Sequence, residues 1–387
     1  MMLCQNHPVA GVTLRAMWRR GASLLLAAVA ALGVCAAMVL QNITIRQEQA
    51  LEYTIETSTI SCTVVDARGS GSGNIQMISA FVEMLLGLRR ERGCDVDQYV
   101  RHVRAKATAP LVLPDHTAMR RILSLDSDPA LDPAEGAAVH FYDGWTEEIL
   151  AGKEQVCLVA AGMETEDGYF TISSQPGSTT RLRIVGTITG GPGNTIYCPF
   201  FMPYEAGTSV AFMVDSCSFD IRDNRNLEAC KAGIYQWFVE PDPNNQLNGL
   251  TFGVLVHDET YQKSLEEIQS NLSMLRLLLP VLMILVGCIG CFASYLTTRG
   301  RVKEFAVMRC LGLKQRQVFA LVFLEQVVLA AAGSLLGGLT GIGLEGQLHL
   351  ASLGKAGVLL LVFLAGAALA ALRVTSVNVM KLMKAEE

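Results

Sequence analysis

The residues of this chain that could do chemistry are few and scattered. Six histidines, His7, His102, His116, His140, His257 and His349, lie far apart, and none stands at metal-ligand spacing from another histidine or a cysteine. Cys288 and Cys291 form a Cys-x-x-Cys, but they fall inside an apolar run, where helical spacing makes them small packing residues on one face. A thioredoxin-type pair would sit beside a βαβ pattern, and none is present. Gly152-Lys153 lacks the earlier glycine and the following Ser or Thr of a phosphate loop. Neither His-Glu-x-x-His nor Gly-x-Ser-x-Gly occurs. No catalytic, metal or cofactor-binding set converges, so the chain is expected to be non-catalytic and to carry no cofactor. The residues that ask for an explanation are charges. Glu325 lies inside an apolar run, and Arg301, Glu304 and Arg309 precede it closely.

The elements that hold those charges are apolar. Of the 387 residues, 51% are hydrophobic and 17% charged, against about 25% charged in a typical soluble protein. Four runs account for the deficit. Residues 21–40 carry no charge, and a helix of that length rises about 30 Å, the thickness of a bilayer core. The second run is 272–296, with Arg276 near one end; the third is 318–344, with Glu325; the fourth is the uncharged 356–372. The first run follows Arg15, Arg19 and Arg20 as a signal peptide would, but it is longer than the usual signal core of about 7–15 residues and reads as a retained anchor.

Lys and Arg set the expected orientation. Basic residues gather in the N-terminal segment 1–20, in the loop 297–317 and in the tail 373–387, whereas the loop between spans three and four has only Lys355. Those three segments are expected in the cytoplasm, and 41–271 outside it. The outside segment holds 17 basic against 31 acidic residues, net −14; the three cytoplasmic segments hold 12 basic against three acidic, net +9. The basic side suits an anionic inner leaflet, so membrane lipid is one expected partner. The acidic side reads as a soluble exterior, and no nucleic-acid partner is expected.

Segment 41–271 is long enough for its own core. Leu51–Val65 reads as a strand, 75–92 as a helix stopped by Gly93, and 96–106 as a second short helix. Val156–Ala160, Gly168–Ser173, Leu182–Ile188, Val210–Val214 and Gly253–Val256 read as short strands, with a helix at Asn224–Gly233. From 259 to 276 the spacing is helical again and runs into the second span, which predicts a stalk helix. The fold class expected is an α-helical membrane protein with four transmembrane helices and a large α+β extracytoplasmic domain between spans one and two. Six cysteines lie outside: Cys62, Cys94, Cys157, Cys198, Cys217 and Cys230. They permit fifteen pairings. Cys217–Cys230 is the disulfide expected here, with free buried thiols as the alternative.

The most specific pattern is in residues 297–343, TTRGRVKEFAVMRCLGLKQRQVFALVFLEQVVLAAAGSLLGGLTGIG. It resembles the FtsX/MacB-type ABC transporter permeases, whose pattern is roughly Arg-x-x-Glu-hydrophobic-x-hydrophobic-x-Arg-x-x-Gly followed by a helix bearing Glu and repeated Gly. Arg301, Glu304, Arg309 and Gly312 match the loop part, and Glu325, Gly333 and Gly337 the span. The layout of one span, a large outside domain and three more spans is similar to the family's. Residues 141–188 resemble its extracellular core domain, so 41–271 is expected to be MacB-like. The tail departs from the family, with Asn378 where a Pro would precede Leu382.

The resemblance implies a permease subunit of an ABC complex of the mechanotransmission type, in a bacterial plasma membrane. It implies a separate cytoplasmic ATPase dimer, which holds the ATP and Mg, and a second permease copy or a related permease. The loop residues Arg301, Glu304, Phe305, Met308, Arg309, Leu311 and Gly312 would contact that ATPase. Read from the residues alone, 300–316 is an amphipathic helix with Phe305, Val307, Met308 and Leu311 on its apolar face, fit for a membrane surface or a partner's groove. Glu325 reads either as half of a structural ion pair or as a gating group. Gly333, Gly337 and Gly341 form overlapping Gly-x-x-x-Gly units for close helix packing, within one chain or across a dimer. The alternative functions are a regulator that recruits or activates a cell-wall hydrolase, and a stand-alone membrane-anchored receptor.

Overall fold

The computed structural model describes residues 21–66, 71–90, 95–109, 117–175, 178–203, 212–239, 252–345 and 350–375. The segment 1–20, Cys94 and the tail beyond Thr375 lie outside the described residues. The chain divides into two compact units, Ile55–Lys263 and the remainder, Met1–Thr54 with Ser264–Glu387.

The second-named unit is helical. It contains most of α1 (Gly21–Thr57) and α4 (Glu259–Arg299), with α5 (Val302–Cys310), α6 (Gln315–Glu345) and α7 (Leu350–Thr375). Among the described residues, α1, α4, α6 and α7 are the four helices long and apolar enough to cross a membrane. Each has a stretch of at least 18 residues that is strongly apolar, which suits a lipid surround rather than water. One set of side chains packs inward: Leu26 and Ala30 with Leu329, Ala330 and Phe363, then Val34, Ala37 and Met38 with Val286 and Leu359. Leucines such as Leu32, Leu277, Leu335 and Leu361 point away and are exposed.

Small residues set the closest approaches. A Cβ added at Gly333 or Gly337 would overlap the carbonyl oxygen of Ala27 or Ala31, so α6 and α1 meet backbone to backbone. At Gly341 the neighbour is the Met38 Cβ, 3.3 Å from an added Cβ. The Gly-x-x-x-Gly stripe is therefore used within one chain. Cys291 packs beside Gly366 of α7, and Cys288 is exposed.

The other unit is built on a ten-stranded sheet. Its strands are β1 (Ser61–Val65), β3 (Val100–Ala109), β4 (Ala118–Ile122), β5 (Ala138–Phe141), β6 (Val156–Ala160), β7 (Tyr169–Gln175), β8 (Ser178–Thr189), β9 (Thr195–Pro199), β11 (Ser216–Ile221) and β12 (Gly253–Val256). The order is β12-β1-β11-β3-β4-β9-β6-β8-β5, with β7 paired to β8. A separate ribbon pairs β2 (Met77–Ile78) with β10 (Met213–Val214), and the helices are α2 (Ser79–Leu85) and α3 (Leu227–Val239). Two cores flank the central strands. One gathers Met119, Cys157, Val159, Ile196 and Cys198, the other Ile122, Leu131, Leu158, Val185 and Tyr197.

A buried charge hub ties the cover of short 3-10 turns to this sheet. Asp128 accepts from Arg120 at 2.6 Å, from Lys106 at 3.2 Å and from the Tyr197 hydroxyl at 3.2 Å, as well as from the Ala130 N–H. Burial alone would raise the Asp128 carboxyl, but the hydrogen bond and charge of Arg120, helped by Ala130 and Lys106, hold it below the usual carboxylate range. The same surroundings act the other way on the Tyr197 hydroxyl: burial and the Asp128 charge push it up to about 12.

Several expectations need correcting. Residues 96–106 are not a helix: after a 3-10 turn at Val96–Gln98 they enter β3. The β-branched Val100 and Val103 sit in a run that pairs with β11 and β4, and a kink at His102 (φ 47°) breaks the alternation that would have revealed the strand. Leu51–Val65 is a strand only from Ser61; α1 continues to Thr57, because extending a formed helix is easier than starting one. The helix expected over 75–92 spans only Ser79–Leu85, since Met77–Ile78 pair with β10 and Gly87 turns at φ 69°. The Asn224–Gly233 helix starts at Leu227 and runs to Val239. Every described cysteine of this unit stands unjoined, Cys157 and Cys198 as well as the Cys217 and Cys230 of the expected disulfide; Cys217, on β11, faces Ala105 of β3, and Cys230 is on α3.

Candidate functional site

The charges that opened the sequence reading come together at the junction of α4, α5 and α6. Helix α4 ends at Arg299, where Gly300 and Arg301 make a tight turn, with Gly300 N–H donating to the Leu296 carbonyl and Arg301 N–H to the Thr298 carbonyl. Helix α5 follows and stops because Gly312 adopts φ 95°, which glycine reaches without strain. The stop is a Schellman motif: Gly312 N–H donates to Arg309 O at 3.1 Å and Leu313 N–H to Met308 O at 3.3 Å. Helix α6 then starts with half a capping box, the Gln317 side-chain oxygen accepting from the Lys314 N–H at 2.9 Å. The single amphipathic helix expected over 300–316 is therefore corrected: α5 ends at Cys310, the chain turns at Gly312, and α6 begins at Gln315.

Packing decides which face of α5 turns inward. Phe305 is only 5% exposed and sits in a cluster with Val318 and Val322 of α6 and Ala371 of α7; Tyr295, Val302, Met308 and Phe319 pack around it. The opposite face carries Val307, 59% exposed, and one turn on Leu311, 78% exposed. The apolar set read from sequence therefore splits. Phe305 and Met308 face the helices, whereas Val307 and Leu311 do not. The buried face follows the three-residue spacing of Val302, Phe305 and Met308, a signal present in the sequence.

Arg301 anchors the junction. Its guanidinium is ion-paired with Glu325 of α6 and, at 3.0 Å, with Glu304, and it lies over the Phe305 ring at 5.4 Å. Burial works against the Arg301 charge, but Glu325 and Glu304 more than offset it and hold its pKa above the usual value. Glu325 is thus held by a cationic partner about three turns into α6. Buried polar residues that sequence reading missed lie on the same helices: Ser294, Thr297, Thr298 and Gln326. Thr297 and Thr298 satisfy their hydroxyls by donating back to the carbonyls of Ala293 and Ser294, each at 2.7 Å.

The other sequence-derived residues lie apart from this junction or at its rim. Arg309 is half-buried on α5, and Gly312 is exposed at the turn. Gly333, Gly337 and Gly341 are further along α6 and pack on α1. Among the described residues, no group of three or more His, Cys, Asp or Glu side chains is placed to hold a metal ion. The junction presents a positioned apolar pair, Val307 and Leu311, in a basic surround, an arrangement suited to binding a partner.

No curated protein matches the chain. Residues 276–379, which include α5, α6, α7 and the Arg301–Glu325 pair, match the family model described as FtsX-like permease C-terminal, and that match supports placing the chain with the FtsX/MacB-type ABC transporter permeases.

Proposed function

We propose that the chain is the permease subunit of an ABC complex of the mechanotransmission type, in which a cytoplasmic ATPase dimer pushes on α5 and the movement passes to the domain on the other side of the membrane. The observation that carries this reading is the two-faced α5. Phe305 and Arg301 fasten it to α6 and α7, while Val307 and Leu311 stand free for a partner's groove. A helix held on one face moves the helices it grips when its other face is pushed. Two features favour onward transmission. Helix α4, at 41 residues, is about 60 Å long, twice a bilayer core. It is also tied to α1 by the Arg276–Glu48 ion pair at 2.9 Å.

The basic residues around α5 favour a cytoplasmic position for it, and in this reading the membrane is a bacterial plasma membrane, with both termini on the cytoplasmic side and the sheet domain outside. ATP and Mg belong to the partner ATPase, and a second permease, identical or related, completes the complex. The decisive experiment is affinity capture of the full-length chain from detergent-solubilised native membranes, beside Val307→Asp and Leu311→Asp. An ATP-hydrolysing protein recovered with the native chain and lost from both variants, at unchanged thermal stability, bears the reading out. Equal recovery with all three chains overturns the docking face, and recovery with none overturns the ABC assignment.

A further inference from the structure

The sheet of the Ile55–Lys263 unit has a seam between β6 and β9. Elsewhere in the sheet, neighbouring strands are registered through three or more residue pairs, but β6 and β9 share one, Leu158 opposite Tyr197. On either side of the seam the pairing is parallel, β9 with β4 and β6 with β8. The two halves of the sheet are thus joined by their shortest ladder.

Two cysteines flank that ladder. The pairing is antiparallel, so one step from Leu158–Tyr197 sets Cys157 across from Cys198, and one step the other way sets Val159 across from Ile196. Burial agrees with this register. Leu158 and Tyr197 share one core, while Cys157, Cys198, Val159 and Ile196 share the core on the opposite face. Directly opposed residues of an antiparallel pair have Cα atoms about 4.5–5.5 Å apart, inside the range of about 4.4–6.8 Å that a disulfide spans. The other described cysteines of this unit stand differently. Cys62 faces Phe219 and Val256, Cys217 faces Ala105, and Cys230 is on a helix.

We propose that Cys157 and Cys198 are the unit's disulfide site, closed as a cross-strand bridge that staples the β6–β9 seam. The inference rests on the outward placement proposed above, because an exported domain meets an oxidant and a cytoplasmic one does not. The oxidant required is a disulfide-bearing thiol oxidoreductase of the exterior. One cysteine thiolate attacks its disulfide, forming a mixed disulfide and expelling one oxidoreductase thiolate. The second cysteine thiolate then attacks the first cysteine's Sγ and expels the other. The pair loses two protons and two electrons, and the oxidoreductase ends as a dithiol. Both side chains are buried, with Cys157 pushed up to about 12 and Cys198 well above the usual thiol value by burial. Buried neutral thiols react slowly, so closure belongs to folding, before β6 and β9 are covered. A stapled seam lets the domain carry load as one body.

The test uses the full-length chain in native membranes. Acid-quenched samples are denatured and alkylated without reductant, digested, and searched by mass spectrometry for a linked peptide pair containing residues 157 and 198. In parallel, the exposed Glu166→Cys reports sidedness through a membrane-impermeant maleimide on permeabilised-envelope cells. The linked pair, lost on reduction and absent from Cys198→Ser, is the expected result. Full alkylation of both cysteines with the reporter labelled from outside overturns the disulfide and leaves the permease reading standing. A linkage of either cysteine to Cys62, Cys217 or Cys230 likewise overturns the pairing. Full alkylation with the reporter shielded overturns both.

Discussion

Glu325 of α6 is ion-paired with Arg301, the residue that precedes α5, and both side chains are largely buried, 5% and 14% exposed. A carboxylate at that place in an apolar helix is costly unless paired, and an arginine so enclosed needs its counter-charge as much. Removing one partner leaves the other uncompensated. Arg301→Ala and Glu325→Ala are each expected to cost about 3 kcal/mol of stability. The exchange Arg301→Glu with Glu325→Arg should recover part of that loss. Thermal unfolding of the detergent-purified chain measures the cycle. Equal loss in the exchanged double variant would show that the two charges do not act as a pair.

Phe305 and Leu311 are six residues apart and are expected to behave oppositely. Phe305→Ala empties a site among Val318, Val322 and Ala371 and should destabilise by about 3–5 kcal/mol. Leu311→Ala removes an exposed side chain and should stay within about 0.5 kcal/mol of the native chain. If Leu311→Ala destabilised as much as Phe305→Ala, the assignment of faces on α5 would be wrong.

The glycines of α6 separate by what surrounds them. Gly333→Leu and Gly337→Leu would drive side chains into the α1 backbone at Ala27 and Ala31, and should lower stability by at least about 1–3 kcal/mol. Nothing lies within 4 Å of a Cβ at Gly343, so Gly343→Ala should be neutral or gain up to about 1 kcal/mol from helix propensity. Comparison of melting temperatures decides, and a tolerated Gly337→Leu would refute the close approach of the two helices.

Asn224 holds two chain segments of the sheet unit. Its Nδ2 donates to the carbonyls of Ile55 at 2.9 Å and Ser58 at 2.6 Å, at the end of α1, and its own carbonyl accepts from the Tyr261 hydroxyl at 3.3 Å, at the start of α4. Asn224→Ala loses the two side-chain bonds and should cost about 1–3 kcal/mol, whereas Tyr261→Phe loses one bond and should cost about 1 kcal/mol. Hydrogen exchange at residues 55–60 should rise in Asn224→Ala; unchanged protection there would exclude the clasp.

The Asp128 hub gives a pH dependence of known sign. Its carboxyl is depressed in the folded protein, so the unfolded chain binds the proton first as pH falls. The stabilisation is complete well above the ordinary carboxylate pKa of about 3.9 and is lost as pH drops through the lower folded value. Asp128→Asn should be less stable at neutral pH and show a flatter profile below about pH 4. A profile as steep as the native one would assign the acid sensitivity to other carboxylates.

By itself the sequence determined where the four apolar helices run, because length and lack of charge need no partner to be read. The order Arg301, Glu304, Arg309, Gly312, Glu325, which resembles the permease pattern, was legible too, but the turn was not: one helix was expected over 300–316, whereas Gly312 ends α5 and Gln317 helps start α6. The stalk segment 259–276 was legible as spacing that carried straight into the second span, and α4 is continuous there. Tertiary structure decided what depends on a neighbour. Val302, Phe305 and Met308, rather than Val307 and Leu311, face inward because α6 and α7 offer a socket on that side. Glu325 became half of an ion pair because the turn at Gly300 brings Arg301 back to α6. Strands β4, β5, β9 and β11 escaped notice because short strands draw their hydrogen bonds from distant residues, and β3 hid its alternation at His102. Proximity of cysteines is the clearest case: spacing along the chain says nothing about it, whereas the Leu158–Tyr197 register of β6 against β9 brings the strands carrying Cys157 and Cys198 side by side.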